Sequence, residues 1–156
     1  MKIELPLKKD VNATKKGVGM RIYVSGPIVA ETHEDIVINC NIAMSVGMQI
    51  MEKGHIPFVP HLSYWMDLFA KSQGVLVPYD RWIDEDLRWV SLCDGFFYIK
   101  ESPGALIELK HALSMDKRIF TNINQIGPIA VEHTMPLINP ESQPNIELPL
   151  KKDVNA

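Results

Sequence analysis

Cysteine is scarce in this chain: two residues, Cys40 and Cys93, among 156. Two thiols do not make a disulfide framework, and no Cys/His spacing of a zinc site surrounds them. Long hydrophobic runs are missing as well. The longest falls far short of the ~20 apolar residues that a membrane-spanning helix needs, and the N-terminus lacks the apolar core of a signal peptide. There is no cationic excess either. With 16 Lys and Arg against 19 Asp and Glu, a net charge of −3 and a pI near 5.9, electrostatics argues against nucleic acid and anionic membranes as partners. Glycine-rich phosphate loops of the Walker or dinucleotide type are absent, and so is the nucleophile elbow of serine hydrolases. These absences leave a reduced, cytoplasmic protein, long enough to bury the core of one domain, with neither metal nor cofactor expected.

One oddity marks the ends. IELPLKKDVNA stands at residues 3–13 and again, letter for letter, at 146–156. Residues 1–19 therefore read either as an extension carrying a recent duplicate of the tail or as an artificial addition, and 132–156 as a C-terminal tail. The domain itself is expected over 20–131.

Within it, strand and helix signals alternate. MRIYVS (20–25) reads as a buried strand closed by Gly26-Pro27. Residues 34–53 carry helical periodicity, with Ile36, Ile38, Ile42, Val46, Ile50 and Met51 as a broad apolar face that Gly54 ends. Met44, Met48 and Met51 read as core filling. IPFVP (56–60) is a second strand, and the segment 61–78 is part helix around YWMDLFA. A helix at about 79–93 precedes a third strand, DGFFYI (94–99). Ser102 as N-cap and Pro103 at the first helical position open the next helix, and KRIFTN (117–122) is a fourth strand. The Pro/Asn-rich remainder offers one further short strand at 127–131. The expected fold is α/β, a Rossmann-like or flavodoxin-like layered domain with a parallel sheet of four to five strands flanked by helices. In such sheets ligands sit beyond the carboxyl ends of the strands, which points to the loops at 25–33, 60–66 and 99–104.

Two carboxylates stand out because surface packing does not explain them. In YDRWIDEDLRWVSLC, Asp84 has Arg88 four residues on, Glu85 reaches Arg81 or Arg88, and Asp80 complements the helix dipole. Asp86 has none of these partners, for its neighbours at helical spacing are Trp82, Trp89 and Val90. It is either a buried aspartate bonded to nearby backbone or a group at a pocket that interrupts the apolar stripe. Glu108, in SPGALIELKHAL, has Gly104, Ala105, His111 and Ala112 at those spacings and flanks the apolar face of Ala105, Leu106, Leu109, Ala112 and Leu113. Helical side chains lean toward the N-terminus, so its carboxylate points at Gly104 and the loop before the helix. Glycine leaves space there, and Ser102 with the unpaired first-turn amides would line that space as a seat for an anion. The bland alternative is a solvated glutamate. Tyr23, near the end of the first strand, could orient a carboxylate or be core. Ser25 and Gly26 of the following turn lie at the ligand edge. His61 lies there too, as a ligand-binding or merely structural histidine, and Tyr64 and Trp65 could stack on a planar base or simply pack.

Together RIYVSGPI (21–28), GHIPFVPHLSYW (54–65), DEDLRWVSLCDGFF (84–97) and SPGALIELKHAL (102–113) resemble the nucleoside 2-deoxyribosyltransferase superfamily. Within it the chain is most similar to the 2′-deoxynucleoside 5′-monophosphate N-glycosidase branch and uncharacterised bacterial and phage relatives. The likeness spans about residues 20–121 and rests on the order and spacing of short motifs. It implies that Glu108 is the nucleophile at the anomeric carbon, that Asp86 assists the leaving base or binds the sugar, and that Tyr23 positions the nucleophile. By the same likeness Ser102 stands where the hydrolysing branch helps hold a 5′-phosphate. Ser25, Gly26, His61 and Gly104 complete the expected substrate-binding set. The loop Gly26-Pro27-Ile28-Val29 departs from that branch, since it carries no arginine. The resemblance further implies a nucleoside or nucleotide as small-molecule partner and a homodimer or higher homo-oligomer. A catalytically silent nucleotide-binding module on the same fold is the rival expectation.

Overall fold

A computed structural model of the protein describes residues 18–131. The two copies of IELPLKKDVNA, with the extension and tail that carry them, lie outside these residues. Four short strands, β1 (Arg21–Ser25), β2 (Ile56–Phe58), β3 (Gly95–Tyr98) and β4 (Arg118–Phe120), form one parallel sheet in the order β2-β1-β3-β4. Helix α1 (His33–Glu52) joins β1 to β2; α2 (Ser63–Ser72) and α3 (Tyr79–Leu92) lead on to β3; α4 (Pro103–Ser114) joins β3 to β4. The domain is thus the layered α/β fold expected, with four strands among the described residues.

Side-chain alternation along β1 organises the two layers. Ile22 and Val24 point to one face and pack with Ala43 and Ile50 of α1, Phe97 of β3 and Phe120 of β4. Tyr23 points to the other and packs with Val90 and Cys93 of the α3 end, Phe96 of β3, and Leu109 and Ala112 of α4. From β1 the chain winds through α1 to β2, and from β3 it winds the opposite way through α4 to β4. The carboxyl ends of β1 and β3 therefore flank the topological switch point.

Helix ends follow the local chemistry. Thr32 Oγ1 accepts from the Asp35 amide at 3.1 Å, and Ser102 Oγ from the Ala105 amide at 3.1 Å, with Pro103 entering α4 as expected. The 61–78 segment begins with a 3-10 turn, Pro60–Leu62, that runs directly into α2. No helix among the described residues is long and apolar enough to cross a membrane.

Three expectations need correction. The apolar face of α1 is wider than the surface the sheet offers: Cys40, Ala43, Gly47 and Ile50 are buried, whereas Ile38, Ile42 and Met51 are exposed. Met44, Met48 and Met51 are likewise not core filling but line an open apolar groove between α1, β2 and α3. Residues 127–131 form no strand. Pro128 has no N–H to give a ladder, and the segment is tethered instead to the α1–β2 corner, where His55 Nε2 donates to the Gly127 carbonyl at 2.7 Å and the Ile129 amide to Lys53 O at 2.9 Å.

Gly54 is the residue that this corner cannot replace. Its φ is +83°, and a Cβ there would meet the Ile129 carbonyl oxygen at 2.7 Å. Gly54→Ala combines left-handed strain with a backbone clash and is expected to cost roughly 2 kcal/mol or more, read as a lowered urea midpoint. An unchanged midpoint would refute this account of the corner.

Candidate active site

Because side chains alternate along a strand, Tyr23 and Ser25 leave β1 on the same face. That face is covered by α4, and both hydroxyls meet Glu108. Tyr23 Oη donates to Glu108 Oε1 at 3.0 Å, and Ser25 Oγ makes a short hydrogen bond to Glu108 Oε2. Glu108 is 5 % exposed, so it is not a solvated surface glutamate. Tyr23 is fully buried, its ring stacked between Phe58 and Phe96 with centroids 5.7 and 5.6 Å away.

Glu108 forms part of the wall of a cavity of about 550 Å³ at the carboxyl edge of the sheet. All three loops singled out in the sequence contribute: Gly26, Ile28 and Val29 after β1, Ser63 and Tyr64 after β2, and Ser102 to Ala105 after β3. Asp86 enters from α3, 8 % exposed, at the buried edge of its helix. Gly104 keeps the approach open, since a Cβ there would come within 3.3 Å of the Tyr79 hydroxyl. The structure thus brings Glu108, Asp86, Gly26, Ser102 and Gly104 to one cavity, with Tyr23 and Ser25 supporting Glu108 from beneath.

His61 does not join that lining. It is 1 % exposed, and its Nε2 donates to the Pro27 carbonyl at 3.1 Å, while Nδ1 has no partner among the described residues. Burial lowers its pKa to about 4, so the ring is neutral at physiological pH. It anchors the loop after β1, whose Gly26, Ile28 and Val29 line the cavity. Sequence reasoning passed over Asp67, Tyr79, Trp82 and Ile83, all of which line the cavity. Trp82 carries the clearest sign of a fixed position, its indole N–H donating to Asp67 Oδ1 at 3.2 Å.

Searches of protein-family models and of curated proteins found no match for this chain. The site's chemistry therefore has to be read from its own groups.

Burial raises both carboxyls into the neutral range, Asp86 to about 7 and Glu108 to about 8, against the opposing effect of the hydroxyl donors. The negative charge of Asp86 adds to the rise at Glu108. Around neutral pH the pair holds one proton between them. Both Glu108 oxygens meet hydroxyls, those of Tyr23 and Ser25, which favour its charged form and offset part of the effect of burial. Tyr23 also faces Asp86 but has a single proton to give, and burial with the nearby carboxylates raises its own pKa so that it keeps that proton. The two carboxyls titrate as one coupled pair, so around neutrality the cavity wall holds one carboxylate and one carboxylic acid. Among the described residues no cluster of three or more His, Cys, Asp and Glu is placed to hold a metal ion.

These shifts have a stability consequence. A carboxyl whose folded pKa is raised favours folding fully below its unfolded pKa, and that contribution is lost as pH rises through the folded value. Glu108→Gln and Asp86→Asn are therefore expected to stabilise the protein above pH 8, by on the order of 1–2 kcal/mol each. The gain should shrink toward pH 4. Thermal melts across that range check it, and variants less stable than wild type at pH 9 would contradict it.

Proposed function

We propose that the protein cleaves the N-glycosidic bond of a nucleoside or nucleoside 5′-monophosphate, by hydrolysis or by transfer to a second base. The observation that carries this reading is the Glu108 carboxylate, buried, oriented by Tyr23 and Ser25 and open to a cavity that Asp86 shares. The family resemblance of the motifs points the same way. In the proposed reaction an oxygen of Glu108 bonds to the anomeric carbon as the carbon–nitrogen bond breaks. The bonding pair leaves with the base, which takes the proton of Asp86. Water, or a second base, then attacks the same carbon, passes a proton to Asp86 and frees Glu108.

Incubation with a panel of ribo- and deoxynucleosides and their monophosphates is expected to release free base, and Glu108→Ala to abolish the release. Release of nothing from any compound would leave a silent nucleotide-binding module as the better reading. A second free base in the mixture separates transfer from hydrolysis by the appearance of a new nucleoside.

The rate should follow a bell in pH, falling on the acid side as the Glu108–Asp86 pair gains its second proton and on the alkaline side as it loses its last. Tyr23→Phe removes a donor to the carboxylate. It is expected to reduce kcat roughly 10- to 100-fold and to move the acid limb to higher pH. A limb that stays in place would remove Tyr23 from its proposed role.

The exposed apolar side chains of α1 and α2, including Ile38, Ile42, Met48, Met66 and Phe69, support assembly into at least a homodimer. Light scattering should then return a mass above that of one chain, and a monomer at every concentration would end this proposal.

A further inference from the structure

Among the described residues lining the 550 Å³ cavity, the ionisable acids are Asp67, Asp86 and Glu108, and no Lys, Arg or His joins them. The three acids are not equivalent. Asp86 and Glu108 share a proton around neutrality, as argued above. Asp67 stays ionised, because the Lys71 ammonium 2.6 Å from Oδ2 and the Trp82 indole at Oδ1 hold its carboxyl below the usual range. Lys71 cancels only part of that charge inside the cavity. Its side chain is 53 % exposed against 19 % for Asp67, and it is not part of the lining, so water screens the cation more than the anion.

The start of α4 offers an anion little in return. Pro103 has no N–H, the Ala105 amide is taken by Ser102 Oγ, and the Leu106 amide by the Ser102 carbonyl. Of the first-turn amides in this cavity wall, Gly104 is left. A phosphate dianion would meet one amide and one hydroxyl on this side, with two negative charges elsewhere in the same wall. A hydroxyl or amino group would instead find acceptors.

We propose that Asp67 is a specificity residue that turns phosphorylated ligands away from this cavity and favours an uncharged nucleoside over its own 5′-monophosphate. The proposal rests on the N-glycosidase reading for the class of ligand and adds which member of that class the site takes. Asp67 exerts this effect by its charge, and separately fixes the indole of Trp82 in the cavity wall.

The test is binding of matched pairs, nucleoside and 5′-monophosphate of the same base and sugar, by calorimetry to full-length Glu108→Gln protein, which should not turn them over. The nucleoside is expected to bind at least tenfold more tightly than its monophosphate. Asp67→Asn in the same background keeps an acceptor for Trp82 and removes the charge. It should narrow that preference by about tenfold at low salt and less at high salt.

A preference that Asp67→Asn leaves unchanged would reduce Asp67 to a holder of Trp82 and overturn the proposal. So would tighter binding of the monophosphate, above all if Lys71→Ala abolished it, since the ion pair would then be a phosphate seat. Base release by wild type from monophosphates alone would overturn the charge filter while leaving the N-glycosidase reading intact. Binding and release of neither compound would remove both together.

Discussion

Taking a carboxylate out of water costs several kcal/mol unless fixed donors replace the lost solvent. At Glu108 those donors are Tyr23 and Ser25, two positions apart on one strand. Only the strand period places both hydroxyls on one face. Only a parallel β1–β3 pair with α4 packed over it brings a helical glutamate above that face. Ile22 and Val24, on the opposite side, hold β1 against α1 and so fix the height at which the hydroxyls stand. Ser25 is pinned again by its backbone, whose carbonyl accepts from the Ile99 amide at 2.8 Å. The donors are thus as rigid as the sheet, which is what electrostatic preorganisation requires.

That rigidity coexists with an arrangement that opposes stability. Two raised carboxyls in one wall are tolerated because the rest of the layer is conventional: Val90, Phe96, Leu109 and Ala112 bury apolar surface around Tyr23. The expense is concentrated where the proposed chemistry needs it. A protein selected for stability alone would carry glutamine or leucine at position 108.

Glu108 and Asp86 were legible in the sequence because the clue is local. A helical acid with no cation at i±3 or i±4 stands out within one turn, and each of the two is buried in the cavity wall. The same criterion passes over Asp67. Lys71 at i+4 gives it the signature of a solvated surface pair, while its bond to Trp82 spans fifteen residues and crosses from α2 to α3. His61 shows the opposite failure. Its position after β2 is right for a ligand, but the direction of its ring depends on the Pro27 carbonyl, which no local pattern encodes. The places of the four strands along the chain followed from short apolar runs and turn residues, whereas their order in the sheet, β2-β1-β3-β4, did not. Nor did the extent of α1's buried face, since periodicity reports which residues are apolar and not how much partner surface exists to cover them. Ile38, Ile42 and the three methionines are the residues left over.

Those leftover residues bear on the site itself. The apolar groove they line, about 830 Å³, shares Ser63, Trp82 and Asp86 with the cavity that holds Glu108. On the groove side stand Met44, Met48 and the stacked pair Phe58 and Trp89, with ring centroids 4.2 Å apart. Asp86 therefore has apolar, water-poor surroundings on its groove side, although its helix is largely exposed. Burial leads the rise in its pKa for that reason, and Tyr23 offsets only part of it. Excluding water from the groove acts in the same direction as burial, holding a proton on Asp86 more firmly. The covering of the groove and the protonation of the pair are in this way one electrostatic problem, joined through the single wall that Asp86, Trp82 and Ser63 build.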